Sequence, residues 1–171
     1  APAHAAKAAG PAAGAATAAG AANGPTRAFV MARHRQFGFL ILKAFKNKKG
    51  LHGQLPGGKI DPTDASPAAG AARELFEETG IDLRDALDRL RPACFEDGTS
   101  VFKGRAFFEL ALTDDDACGA RAPDSGDPFA LDLSNEHVGY TFEYDPIVAA
   151  NMISLHSGGK NQIAMLKLYG T

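Results

Sequence analysis

Tryptophan is absent from the sequence, and cysteine occurs only twice, at Cys94 and Cys118. Two cysteines cannot build a disulfide framework, and their separation fits no metal-binding spacing. Reduced thiols in an intracellular, reducing compartment are the expectation, with cytoplasm and organelle matrix both open. Long apolar runs are missing too. The longest, residues 37–45, is interrupted by Gly38 and Lys43 and falls short of the ~20 residues that span a bilayer. No membrane association is expected. Acid is missing from the first third of the chain: residues 1–60 hold nine Lys and Arg, and Asp61 is the first carboxylate. The remaining nine Lys and Arg share residues 61–171 with all 20 acids. This division reads either as a basic arm on an acidic domain, or as acids reserved for metal binding and solvated loops beside an exposed lysine turn. The net charge of −2 predicts nothing by itself, and nucleic acid is not an expected partner.

What remains is enough for one buried domain: 171 residues, 45% hydrophobic and 22% charged. Residues 1–25 stand apart as an Ala/Gly/Pro-rich, low-complexity tail. Gly10, Pro11, Gly14, Gly20, Gly24 and Pro25 interrupt the alanines, and no apolar residue there is larger than Ala. Such a segment cannot offset its own ordering entropy. It is expected outside the fold, as a surface for a protein partner. It also has something of an organelle leader, although it lacks Arg and Ser, and removal of an initiator Met would leave Ala1 first. The domain is expected over residues 26–171.

Residues 27–33 and 37–45 are β-rich apolar runs split by Arg33-His34-Arg35-Gln36, which predicts two strands and a turn. Lys46-Asn47-Lys48-Lys49-Gly50 reads as a second turn. Its lysines are either simply solvated or add favourable potential to a nearby phosphate site.

Residues 55–83, LPGGKIDPTDASPAAGAARELFEETGIDL, concentrate the chemistry. Gly57 and Gly58 permit a sharp turn and close backbone approach. Ser66 with Pro67 opens a helix, and Gly80 closes it, predicting helix over residues 67–79. At ~100° per residue, Ala68, Ala71, Ala72, Leu75, Phe76 and Thr79 form the packing side, while Glu74, Glu77 and Glu78 share one arc on the other. Gly70 allows a close approach to a neighbour. Three like charges on one face cost roughly 0.2–0.5 kcal/mol per i,i+4 pair, partly offset by Arg73 pairing with Glu77. Asp61 and Asp64 add carboxylates nearby. Glycine carbonyls beside a multi-carboxylate face are the oxygen donors that a hard divalent cation takes, with room left for substrate phosphates.

Here the sequence resembles the Nudix hydrolases, whose signature is G-x5-E-x7-R-E-U-x-E-E-x-G-U with U aliphatic. Arg73-Glu74-Leu75-Phe76-Glu77-Glu78-Thr79-Gly80-Ile81 matches the second half throughout. In the first half, counting from Gly58 puts Asp64 where the family has Glu, and eight residues rather than seven separate it from Arg73. A one-residue insertion around Ala65-Ser66 with a Glu-to-Asp change accounts for both. The Leu55–Lys59 lead-in, LPGGK, is also typical of the family.

The resemblance implies an α/β fold, an α/β/α sandwich with a mixed sheet. It implies a hydrolase that cleaves the pyrophosphate bond of a nucleoside diphosphate linked to another group, so a nucleotide-derived small molecule as substrate. Mg2+ is the implied cofactor, with Mn2+ able to replace it. Glu77 and Glu78 correspond to the principal metal ligands, Glu74 to a further ligand or base, the Gly57 carbonyl to another ligand, and Arg73 to the residue that orients the glutamates. Gly58, Lys59 and Lys43 are candidates for contact with substrate. Asp64 corresponds to a position that mainly supports the loop and the outer ligands.

Past the box, a helical turn is expected near residues 85–91, then strands over 93–96 and 100–112 around Asp97-Gly98-Thr99. Asp114-Asp115-Asp116 opens an acidic loop, solvated or metal-binding. Glu136, just before a strand, looks like the distal acid that reaches the metals in this family as ligand or base, and His137 is assigned a structural role. Asp145-Pro146 starts a short helix over residues 147–153. A Gly-Gly turn at 158–159, connecting or phosphate-cradling, precedes a last helix over 161–169. Glu96 and Asp97 stand where the family's ADP-ribose and dinucleoside-polyphosphate markers fall, so the substrate stays open. With no Trp, a base would stack on Phe37, Phe39, Phe102 or Tyr140. A second function remains beside the hydrolase: a weakly active or inactive Nudix-fold subunit that binds within a larger assembly, motivated by the altered half-signature and the tail.

Overall fold

Alternation along one strand sets up the whole molecule. In β1 (Arg27–His34), Ala28, Val30 and Ala32 face one way while Phe29 and Met31 face the other, and all five are buried. A strand apolar on both sides needs cover on both sides. The computed structural model describes residues 24–46, 50–95, 101–118, 129–154 and 159–170. After β1 follow β2 (Gly38–Lys46), β3 (Gly50–Gln54), β4 (Gly57–Lys59) and helix α1 (Pro67–Thr79). Then come β5 (Arg91–Pro92), β6 (Val101–Phe102), β7 (Arg105–Leu112), β8 (His137–Glu143), α2 (Pro146–Met152) and α3 (Lys160–Lys167).

The strands form one mixed sheet ordered β3-β2-β1-β7-β5, with β4 also beside β1, β6 beside β7 and β8 beside β2. β1 and β7 are parallel, from Arg27 opposite Arg105 to His34 opposite Leu112, and every other pairing is antiparallel. Ala71, Ala72 and Leu75 of α1 pack on Val30, Leu40, Leu42 and Leu110 on one face. Ala149 and Ala150 of α2 and Met165 and Leu166 of α3 pack on Met31, Phe39, Ile41 and Phe107 on the other. The expected α/β/α sandwich is therefore present. Each fully buried leucine of these layers contributes about 1.5–3 kcal/mol of transfer free energy. Among the described residues no helix is long and apolar enough to cross a membrane.

Helix α1 has the predicted bounds. The Ser66 hydroxyl accepts from the Ala69 N–H at 3.1 Å, and Gly80, at φ 80°, donates to the Phe76 carbonyl at 2.9 Å. Three expectations are corrected. The run 100–112 is not one strand: Lys103 (φ 47°) and Gly104 (φ 74°) make a two-residue hairpin with Val101 opposite Ala106 and Phe102 opposite Arg105. Two left-handed residues match the twist of the flanking strands, so the apolar run folds back on itself. The strand expected at 93–96 falls instead at Arg91–Pro92, with the Ala93 N–H still donating to Phe107 at 2.9 Å. Strands β3 and β4 carry no alternating apolar signal, because Gly50, Gly53, Gly57 and Gly58 fill them. Their pairing comes from β2 and β1, and was not expected. The tail 1–23, the lysines 48–49, the turn 97–99, Glu96 and residues 119–128 and 155–158 lie outside the described residues.

Candidate active site

β1 and β2 pair only near their shared turn, at Arg33 opposite Phe39 and His34 opposite Gly38. Beyond it they diverge, and the chain from β3 into β4 bridges the opening. Two bonds fix the crossing: the Leu55 N–H donates to the buried Gln162 side chain at 2.8 Å, and the Val30 N–H to the Pro56 carbonyl at 2.8 Å. Gly57 then adopts φ 141°, where an added Cβ would lie 2.2 Å from the Ala28 carbonyl oxygen. Only glycine fits there. The strand Gly57–Lys59 is thereby laid against α1.

The three glutamates of the arc differ in their exposure. Glu78 is only 6% exposed, and its Oε2 accepts from the Gly57 N–H at 2.8 Å. Burial pushes its carboxyl up to about 8; the Gly57 N–H opposes this, and the charges of Glu74, Glu136 and Glu77 add to it. The carboxyl of Glu74 lies against Gly58, whose added Cβ would sit 2.9 Å from it. Burial raises Glu74 as well, with Arg73 opposing. Glu77 is open to solvent, its side chain 55% exposed. Glu136 lies in the exposed turn before β8, near enough for its charge to act on both Glu74 and Glu78.

Arg73 ties these parts together. It makes a two-pronged bond to Asp64 through Nε and Nη2 at 3.0 Å each, and reaches Glu74 at 3.1 Å and Glu77 at 3.2 Å through Nη1. Its Nη2 also donates to the Lys59 carbonyl at 2.9 Å. The hydrogen bonds from Arg73 hold the Asp64 carboxyl below the usual range, against the desolvation of a nearly buried side chain. Asp64 Oδ2 accepts the Asp61 N–H at 2.8 Å besides. The shorter acid on the longer loop thus still meets the guanidinium in fork geometry.

His137 is buried. Its Nε2 lies 3.0 Å from Gln54 Nε2 and 3.6 Å from Glu78, and its Nδ1 is 3.1 Å from the Ser134 hydroxyl. Ser134 also donates its N–H to the Glu78 carbonyl at 3.2 Å. Gln54, Ser134 and Gln162 are site-supporting residues that the sequence did not reveal; nothing in their spacing links them, since they come from three distant segments. Other candidates are placed elsewhere. Lys43 follows Leu42, which faces α1, and alternation puts it with Ile41 on the opposite face. The Lys59 and Gly58 backbone stays at the site, and the Lys59 side chain is exposed. Phe39 is fully buried against Tyr169, Phe37 stacks on His34, and the Tyr140 hydroxyl donates to the Phe129 carbonyl. Asp116 of the acidic triplet is bound by Arg89 at 2.7 Å on both oxygens.

Among the described residues no group of three or more His, Cys, Asp or Glu is already drawn to metal-binding distance. The donor set nevertheless suits a hard divalent cation: oxygens only, around two partly or fully buried carboxyls whose charge burial disfavours.

The three-layer sandwich lays a Gly-Gly strand against a glutamate-bearing helix, and the family match supports a pyrophosphohydrolase. The chain belongs to the Nudix family: residues 24–151 match the family model described as NUDIX domain. Members of this family generally use divalent metals, typically Mg2+. Solved structures share the fold at low identity. The MutT protein of Methanosarcina mazei Go1 is 21% identical, with a TM-score of 0.53 over 84% of this chain and 90% of that one. The Ap4A hydrolase of C. elegans is 21% identical, with a TM-score of 0.50 over 84% and 94%. The dihydroneopterin triphosphate pyrophosphohydrolase of E. coli is 18% identical, with a TM-score of 0.51 over 82% and 92%. At these identities the likeness is one of fold. No curated protein matches the sequence.

Proposed function

We propose that this enzyme hydrolyses the pyrophosphate bond of a nucleoside diphosphate linked to another group, with Mg2+ as cofactor and Mn2+ as its replacement. The observation that carries the reading is the fork between Arg73 and Asp64, which joins the altered half of the signature to the intact half. Through it Arg73 still holds Glu74 and Glu77 while Glu78 meets Gly57.

Glu78, Glu77, Glu74 and the Gly57 carbonyl would hold the cation, which when bound neutralises pyrophosphate charge and polarises a water for attack. Arg73 orients Glu74 and Glu77 and fixes the Lys59 carbonyl, keeping the loop closed over the helix. Glu136, from the other side of the cleft, is the candidate base for the attacking water. Gly58, with no side chain, leaves Glu74 room beside the substrate phosphates, and Lys59 extends into solvent where a phosphate would arrive.

A panel of nucleoside diphosphate derivatives with Mg2+ or Mn2+ tests this. Glu78→Gln is expected to lower kcat at least about 100-fold on whichever compound the wild type cleaves. Turnover unchanged in that variant would overturn the assignment.

A further inference from the structure

A second cleft, of about 610 Å³, lies on the sheet face opposite α1. Met31 and Phe39 of the α2/α3 layer line its floor. Gly57 pairs with Phe29 of β1, and Arg33 lies four residues further along, roughly 13 Å at 3.3 Å per residue, while the nearer Met31 points to the sheet face away from α1. It is not an extension of the carboxylate site.

Four arginines reach it: Arg33, Arg35, Arg89 and Arg91. Arg89 is taken by Asp116. Among the described residues Arg33, Arg35 and Arg91 have no carboxylate partner. Two acids share the lining, Asp88 and Glu109, and Glu109 accepts the Tyr169 hydroxyl. A hydroxyl donor leaves the charge of Glu109 in place, so three guanidinium groups without a carboxylate bond stand against two carboxylates, Asp88 and Glu109, the latter directly across the strand pair from Arg91. Aromatic rings stand beside them. The Arg33 guanidinium lies over Phe39 at 5.2 Å and Tyr144 at 5.6 Å, and Tyr144 is 59% exposed. Converging like charges repel unless an anion joins them. Guanidinium forks match phosphate oxygens, and an open tyrosine beside a guanidinium plane is a stacking surface for a flat ring. The volume suits a small ligand rather than a polymer.

We propose that this cleft is a second ligand site, taking a nucleotide: its base stacks on Tyr144 and its phosphates bridge Arg35 and Arg91. Occupancy there is independent of divalent metal, since no carboxylate cluster is involved.

ADP is the probe, titrated by calorimetry in EDTA, with pyrophosphate titrated in parallel. Wild type and Glu78→Gln are expected to bind ADP alike. The exposed substitution Arg91→Glu, and separately Tyr144→Ala, are expected to weaken ADP binding about tenfold or more, with melting temperatures unchanged. Tyr144→Ala leaves pyrophosphate binding as it was. Arg91→Glu also leaves basal hydrolysis unchanged. The proposal is overturned if ADP does not bind in EDTA, if Glu78→Gln abolishes that binding while Arg91→Glu spares it, or if Tyr144→Ala has no effect on ADP.

Discussion

Arg73 and Asp64 show how a side chain and a loop compensate each other. The acid is one methylene shorter than the family residue, the loop one residue longer, and the guanidinium receives two bonds of 3.0 Å. Gly70 leaves the space: a Cβ there would fall 2.9 Å from Asp64 Oδ2. Restoring the family residue should therefore harm the fold. Asp64→Glu adds a methylene where the fork is already closed, and is expected to cost about 1 kcal/mol in urea unfolding; a gain in stability would show that the loop, not the acid, sets the geometry. Asp64→Ala removes both bonds from Arg73 and is expected to cost roughly 1–3 kcal/mol. It should also lower kcat, because Glu74 and Glu77 lose a fixed partner.

At the scale of elements, the β3–β4 crossing carries the site. Leu55 is its one fully buried apolar side chain, and it is held by hydrogen bonds from the Leu55 N–H to Gln162, from the Ile60 N–H to the Thr26 carbonyl and from the Val30 N–H to the Pro56 carbonyl. Its tightest point is Gly57, where a side chain would meet the backbone of β1. Gly57→Ala is expected to cost roughly 2–4 kcal/mol and to shift the Glu78 contact. Unfolding by denaturant would measure the first. Loss of activity in the fraction that stays folded would measure the second.

For the whole molecule, two linkages connect stability to solution conditions. Asp116 is pushed up by burial, but its bonds from Arg89 and the Thr113 N–H outweigh this and hold it below the usual carboxylate range. A folded value below the unfolded one of about 3.9 stabilises fully above pH ~4 and fades as pH falls through the folded value. The stability gap between wild type and Asp116→Asn should thus be constant near neutrality and close in acid. Unfolding midpoints from pH 7 to pH 2 would reveal it. Cation binding acts in the same way. At 100-fold excess over Kd, Mg2+ should add about 2.7 kcal/mol to wild type, a rise of roughly 5–10 °C in Tm. In Glu78→Gln the rise should largely vanish.

The sequence by itself determined α1 to the residue, because Ser66, Pro67 and Gly80 act through local backbone geometry. It determined β1 and β2 as strands, because their β-rich apolar runs are split by the polar Arg33-His34-Arg35-Gln36, and it determined the family through residues 73–81. Tertiary structure alone decided the rest. Helical periodicity put Glu78 on one arc with Glu74 and Glu77, yet the Gly57 strand closes over it and makes it the most buried of the three. β3 and β4 form only because partner strands offer their hydrogen bonds, and the hairpin at Lys103-Gly104 because the second half of the run pairs with β1. Gln54, Ser134 and Gln162 come to the site from segments up to 108 residues apart. Side chains that far apart in sequence share no local signal, and only packing of the sheet between its two helical layers brings them together.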